Sequence, residues 1–319
     1  MLLGQHVCMT VTAPVDTRTM KNFTELRHAA QPLGPKKVAI VAAEDEVALT
    51  AADGALHLGI ATPVLIGHEQ KIRAKAHALG LSGLIAKAEF IATDAPATTA
   101  ARMARDGRVD LLLKGHLRTD ELLRAALDKE IGVRTGRLLS DVLLYEDTLA
   151  GQVRLVGITD GGLNVLPNLD QKKQIVQNAI EVMRCIGLSR PKLAIMSATE
   201  AVSESVPSSV DARHLAEMGA AGEFGDVDIC GPLALDCALL ASAAQAKNIS
   251  HSVAGHADCM VVPNIESGNL LGKAVKYLGG SQCAHVVVGA KVPILIPSRV
   301  ESADDKINSI ALGVLFAAR

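Results

Sequence analysis

Aromatic residues are nearly missing from this 319-residue sequence: they make up 2% of it, and there is no tryptophan. Hydrophobic residues still reach 49%, so the core has to be built from Ala, Val, Leu and Ile, with helices packed closely on sheets. No apolar run approaches the ~20 residues of a bilayer span. The first 21 residues lack the basic n-region and clean apolar h-region of a secretory signal. The expected location is therefore the cytoplasm, away from membranes, with residues 1–21 a loose N-terminal tail and Met9 or Met20 an alternative start. The formal charge is -2 with no basic stripe, which excludes nucleic acid as the main partner, because phosphate-backbone binding needs clustered Lys and Arg. The six cysteines (Cys8, Cys185, Cys230, Cys237, Cys259 and Cys283) contain no C-x-x-C pair. Neither a zinc site nor a disulfide framework fits, and reduced, mostly buried thiols are expected. The phosphate-loop, dinucleotide and nucleophile-elbow motifs are all missing. No acidic cluster or His pair reads as a metal site, so no metal is expected.

Short apolar runs are what the chain does have. Strands are predicted at 37–42, 62–67, 109–113, 154–158, 192–197, 257–262, 285–288 and 294–297. The clearest helices are expected at 45–58, 170–186 and 302–318, with another opening at Asn22, whose capping-box partner is Glu25. Buried strands alternating with helices predict an α/β protein with a mainly parallel sheet covered on both faces. A break between two α/β domains fits the Gly161, Gly162, Pro167 cluster.

In open α/β sheets, ligands bind beyond the C-terminal ends of the strands. Four such places are unusual. Lys114-Gly115 precedes Thr119, an expected helix cap, and a Lys beside a helix N-terminus suits an anion; an ordinary strand-to-helix turn explains the same residues. Thr159 to Asn164 carries two glycines that allow close ligand approach, or simply link domains. Pro263 to Asn269 ends an apolar strand in a polar cluster, of which Asn264, Glu266 and Asn269 exceed what a turn requires. Last, Ser298-Arg299 with Glu301 stands just ahead of Ser302 and Asp305, which read as a capping box. The box accounts for Ser302 and Asp305 but leaves Ser298 and Arg299 unexplained.

At these segments the sequence resembles the phosphate acetyltransferase and phosphate butyryltransferase family. The resemblance rests on Ala290 through Arg299 with Lys306 to Leu312, on Pro263 to Asn269 with Lys273, on Leu113-Lys114-Gly115, on Gly132 to Gly136, and on Gly231 to Asp236. It covers nearly everything from Asn22 to Ala318, and the butyryl branch looks closest. It implies two α/β domains with an isocitrate/isopropylmalate dehydrogenase-like fold, divided as 22–160 plus 298–319 and 161–297, with the active site in the interdomain cleft. It also implies a homodimer that transfers a short acyl group directly between coenzyme A and phosphate, with no tightly bound cofactor.

Within that resemblance, Arg299 is expected to bind the phosphoryl oxygens, Ser298 to hydrogen-bond the sulfur, and Asp305 to take the thiol proton. Lys114, Gly115, Asn264, Glu266, Asn269 and Glu301 are expected around the substrates, and either Arg134 or Arg137 completes the phosphate clamp. Asp at 305 is similar to the acetyl branch, whereas Cys230 replaces an aspartate the family usually carries. Two other readings use the same fold: a metal-dependent decarboxylating dehydrogenase, and a binding or regulatory protein that has lost catalysis.

Overall fold

The computed structural model describes residues 19–149 and 151–319. Its centre is one eleven-stranded sheet. In chain order the strands are β1 (Lys36–Val41), β2 (Ala61–Gly67), β3 (Glu89–Ala92), β4 (Leu111–Lys114), β5 (Ser140–Asp147), β6 (Arg154–Thr159), β7 (Lys192–Met196), β8 (Asp228–Leu233), β9 (Cys259–Val261), β10 (Cys283–Val288) and β11 (Ile294–Leu295). Their spatial order is β3-β2-β1-β4-β11-β10-β5-β6-β9-β7-β8.

Parallel pairing holds on both flanks, from β3 to β11 and from β6 to β8. Between them, β10 is antiparallel to both β11 and β5, and β5 is antiparallel to β6. Three reversals leave the two parallel flanks running in opposite directions. The mainly parallel expectation thus holds flank by flank, but the C-terminal strand ends do not share one edge. β10 and β11 stand mid-sheet, with β11 paired to β4, although both lie within the stretch 161–297 assigned above to a second domain.

Apolar runs explain β1, β2 and β4, whose residues are almost all buried, and Val, Leu and Ile suit strands covered on both faces. Helices end where local chemistry dictates. Asn22 caps Phe23–Ala30 through the Glu25 N–H, but Glu25 answers the Lys21 N–H, so this box is only half formed. Ser302 and Asp305 form a complete capping box on Ala303–Ala317. Thr119 is not a cap: it is the first residue of Thr119–Ala126.

The expected loose tail needs correction at its end. Met20 is only 5% exposed, its N–H donates to the Ile186 carbonyl at 2.9 Å, and the Thr19 hydroxyl donates to the Gly187 carbonyl at 3.1 Å. An apolar side chain with core to fill holds this segment down. Residues 1–18, with Met9 and Cys8, lie outside the described residues. The other five cysteines are free, four of them buried and Cys230 half-buried. No described helix is long and apolar enough to cross a membrane.

Candidate active site

Side chains two apart on neighbouring strands share one face of a sheet. Register places Asp141 of β5 beside Val287 of β10, and Leu143 beside His285. Val287 in turn faces Ile294 of β11, which pairs with Leu112, two residues before Lys114. A cavity of about 380 Å³ lies over this central stretch, lined by Lys114, Asp141, Leu143, Ile158 and His285 from the sheet and by Ile296 just beyond β11. That volume suits a small-molecule site.

The loops complete its wall. Ser298, Arg299 and Glu301, just beyond β11, line it, as do Gly161, Gly162 and Asn269. Gly161 and Gly268 must both be glycine, because a Cβ on Gly268 would sit 2.7 Å from the Gly161 Cα. The loop after β6 and the helix after β9 come close together at this contact, where the Asn269 amide reaches the Gly161 carbonyl at 3.4 Å; the Ile265 N–H to Val165 carbonyl bond joins them as well.

Of the anticipated residues, Ser298, Arg299, Lys114, Asn269 and Glu301 therefore share one cavity. The others stand elsewhere. Gly115 is pressed against the Val41 and Ala42 carbonyls, where a side chain would clash, and is not among the residues lining the cavity. The Asn264 side chain accepts from the Ser267 N–H and hydroxyl as the cap of Ile265–Lys273. Glu266 points to solvent and is not part of the wall. Arg134 and Arg137 both border a different recess, and Arg137 is committed to Asn178 and to Glu181 at 2.9 Å.

Asp305 stands behind the wall rather than in it. It is 0% exposed and does not line the cavity. Its Oδ1 accepts from the Cys283 N–H at 2.9 Å; its Oδ2 accepts from Lys276 Nζ at 2.6 Å, the Ser302 hydroxyl at 2.6 Å and the Ser302 N–H at 3.0 Å. Burial pushes this carboxyl up, but Lys276, Ser302 and the Cys283 N–H outweigh burial and hold it below the usual range. Asp305 is linked to the cavity through Lys276, which does line it.

Further charged residues, to which no site role was given above, gather at the same wall. The Lys276 and Lys273 side chains face the cavity, and buried Lys306 donates to the Ser298 carbonyl at 3.2 Å, fixing the loop that carries Arg299. Burial, followed by repulsion from Lys306 and Arg299, lowers the pKa of Lys114. This concentration of cations suits an anionic ligand.

A second missed group crosses the same cavity. The Nδ1 of His285 is 3.1 Å from the Asp141 carboxylate, and its Nε2 is 3.4 Å from Glu301 Oε1. Burial opposes the charged imidazole, yet the two carboxylates outweigh it and raise its pKa to about 10. Burial likewise pushes Glu301 up, and His285 overcomes this and holds it low. Asp160, next to Asp141, is pushed up to about 6, first by burial and then by that neighbouring charge.

The comparisons bear directly on this cavity. A family described as "Phosphate acetyl/butaryl transferase" matches residues 83–314, which takes in every cavity residue named above. The chain belongs to that family. It is 38% identical to the phosphate acetyltransferase of Rhizobium meliloti, over 93% of this chain and 94% of the relative. It is 37% identical to the phosphate butyryltransferase of Clostridium beijerinckii, over 94% and 99%. A crystal structure of a branched-chain phosphotransacylase from Enterococcus faecalis superposes with a TM-score of 0.75 at 26% identity, over 88% of this chain and 99% of the other.

Among the described residues one group has metal-ligating composition: Glu200, Asp236 and Cys237. Sequence separation hid it. Its charge is met by Lys247, whose Nζ lies 2.8 Å from Glu200 and 3.1 Å from Asp236, and none of the three lines the cavity. Cys230 lies on β8, also away from the cavity.

Proposed function

We propose that this chain is a phosphate acyltransferase that moves a short acyl group, acetyl or butyryl, between coenzyme A and inorganic phosphate. The observation that carries the reading is the convergence of Ser298, Arg299 and Lys114 on one cavity in a member of this family. Arg299 presents a planar fork suited to phosphoryl oxygens, and Lys114 adds a second cation. Together they neutralise the charge that develops as the carbonyl becomes tetrahedral. The Ser298 hydroxyl hydrogen-bonds the attacking sulfur and holds it in line, and positioning of both substrates supplies much of the rest.

The same reading keeps the dehydrogenase-like, two-domain organisation with the site in the cleft between 22–160 plus 298–319 and 161–297. Its support is that both stretches contribute to the cavity wall. It also places the protein in the cytoplasm as a homodimer, with coenzyme A as a substrate and no tightly bound cofactor. Leu270, Tyr277 and Leu278, exposed at helical spacing, form the kind of apolar face a second copy covers.

The test is thioester formation from acetyl phosphate and from butyryl phosphate with CoA, each with and without EDTA. Chelator-independent transfer from at least one donor is expected, because Arg299 and Lys114 meet the phosphate charge. No transfer from either donor sinks the reading, and activity lost in EDTA and restored by Mg²⁺ favours the metal-dependent alternative.

A further inference from the structure

Two buried glycines lie inside the helix Ile265–Lys273, Gly268 and Gly272, and both line the cavity. Glycine is unfavourable in a helix interior relative to alanine, so each position asks for a reason. Gly268 has one in the Gly161 backbone. Gly272 has no such backbone against it. Beyond its own helix, a Cβ there would meet within 4 Å only the Leu143 Cδ1 among the described residues, at 3.2 Å, and this is the end of a side chain that can yield by a few tenths of an ångström. Packing therefore admits alanine, and what the missing methyl leaves open is the space over Leu143. Register sets Leu143 opposite Ile158 on one neighbouring strand and opposite His285 on the other. Leu143 and Ile158 are buried and, with Ile296, supply the aliphatic side chains of a wall otherwise mostly polar, charged or glycine. Lys114 ends β4 and Arg299 follows β11, so both come from the far side of β10 from Leu143. Lys276, one turn on from Gly272, is paired with Asp305, and Lys273 lies over the Tyr277 ring, so both of these charges have partners of their own.

We propose that Gly272 is a specificity-determining residue: the space it leaves over Leu143 and Ile158 holds the tail of an acyl group longer than acetyl, so that butyryl is transferred in preference. The proposal rests on the acyl-transfer reading above and names the substrate class within it. An acyl phosphate is an anion at one end and a hydrocarbon at the other, with the reacting carbonyl between. With its phosphate on Arg299 and Lys114, its chain runs over β10 toward Leu143. Acetyl stops at its methyl group and leaves the patch to water. The longer chain of butyryl displaces that water from aliphatic surface, which is favourable. An apolar pocket distinguishes one methylene by ~10–200-fold in kcat/KM. A methyl group on residue 272 would occupy the same room itself.

The experiment measures kcat and KM of the wild type, Gly272→Ala and Leu143→Ala with acetyl, butyryl and hexanoyl phosphate as donors to CoA, beside thermal unfolding of each protein. The wild type should favour butyryl over acetyl phosphate by ~10-fold or more in kcat/KM. Gly272→Ala should cut that ratio by ~10-fold or more, through the butyryl donor, while melting no lower than the wild type, since alanine suits a helix better. Leu143→Ala enlarges the same space and should raise hexanoyl relative to butyryl transfer by about tenfold; it carries the test should Gly272→Ala fail to fold. A loss shared equally by all donors overturns the proposal. So does a loss confined to the KM for CoA, which would assign the patch to the pantetheine arm. Wild-type preference for acetyl, or donor ratios unchanged in both variants, overturns it as well. If the wild type transfers no acyl group from any donor, the functional reading falls; if it is active and Arg299→Ala is not, while Gly272→Ala keeps the wild-type donor ratio, only this proposal falls.

Discussion

Asp305→Asn separates two kinds of carboxylate. A base facing substrate should matter to rate and little to stability. A buried cap bonded to a lysine should matter to stability first. The structure favours the second, and the size of the effect can be worked out. Removing one partner of a buried ion pair typically costs 3–5 kcal/mol. Asn retains an acceptor for the Cys283 N–H, and the Lys276 side chain is 19% exposed, so its charge is partly hydrated once released. Roughly 2–4 kcal/mol is therefore expected, at about 2–4 °C of melting temperature for each kcal/mol in a large domain. The assay is thermal unfolding at pH 7 beside steady-state transfer, with Lys276→Met/Asp305→Asn as a third protein. The double variant should recover much of the lost stability, because no lone charge is left buried. Asp305 has a lowered folded pKa, so its contribution is present above the unfolded carboxylate value near ~3.9 and is lost as pH falls through the folded value. The wild-type advantage should shrink in acid accordingly. A melting temperature within about 2 °C of wild type, together with a turnover loss beyond ~10²-fold, would show that Asp305 acts on substrate and would refute this reasoning.

Arg299→Ala should reduce turnover by ~10² or more, since it removes a charge-assisted clamp on the developing charge, and Arg299→Lys should restore little because it lacks the fork; near-normal rates in the Ala variant would remove Arg299 from the site. His285, raised to about 10 by Asp141 and Glu301 with Lys276 and Arg299 on the same wall, contributes stability that is complete below its unfolded value near ~6.5 and is lost as pH rises through 10. Denaturant unfolding should therefore show the wild type losing up to roughly 5 kcal/mol more than His285→Gln between those limits, at 1.36 kcal/mol per unit; parallel profiles would mean the ring is not held charged.

How much of this was legible follows from range. β1, β2, β4 and β7 are runs of Val, Leu, Ile and Ala, and their burial is written locally. So is the Ser302–Asp305 box, which needs only residues three apart. β5 escaped because Asp141, Tyr145, Glu146 and Asp147 break its apolar pattern. β8 escaped because it carries Gly231 and Pro232, and β3 because a half-exposed edge strand such as Glu89–Ala92 has little pattern to show. Missing β5 hid the reversal of the sheet, and with it the fact that Asp141 and His285, 144 residues apart, face one another. Asn264 shows the opposite case: its side chain caps the helix through Ser267, three residues away, a local role that the sequence carries on its face. Arg134, from the Gly132 to Gly136 segment, and Arg137 border a different recess, and which recess a side chain borders is set by the strands around it rather than by its neighbours in sequence.

The position of β11 bears on how the molecule is made. It lies between β4 and β10, so strands near the start of the described chain and those of its middle are joined by a piece synthesised almost last. Contacts of such long sequence separation close slowly. During translation each flank can gather its own helices while the seam between them stays open. Arg299 and Glu301 follow that seam by only a few residues. A nascent chain therefore holds Lys114 and Asp141 long before it holds a complete cavity, and ligand added to ribosome-bound intermediates would find nothing to bind until the final helix emerged.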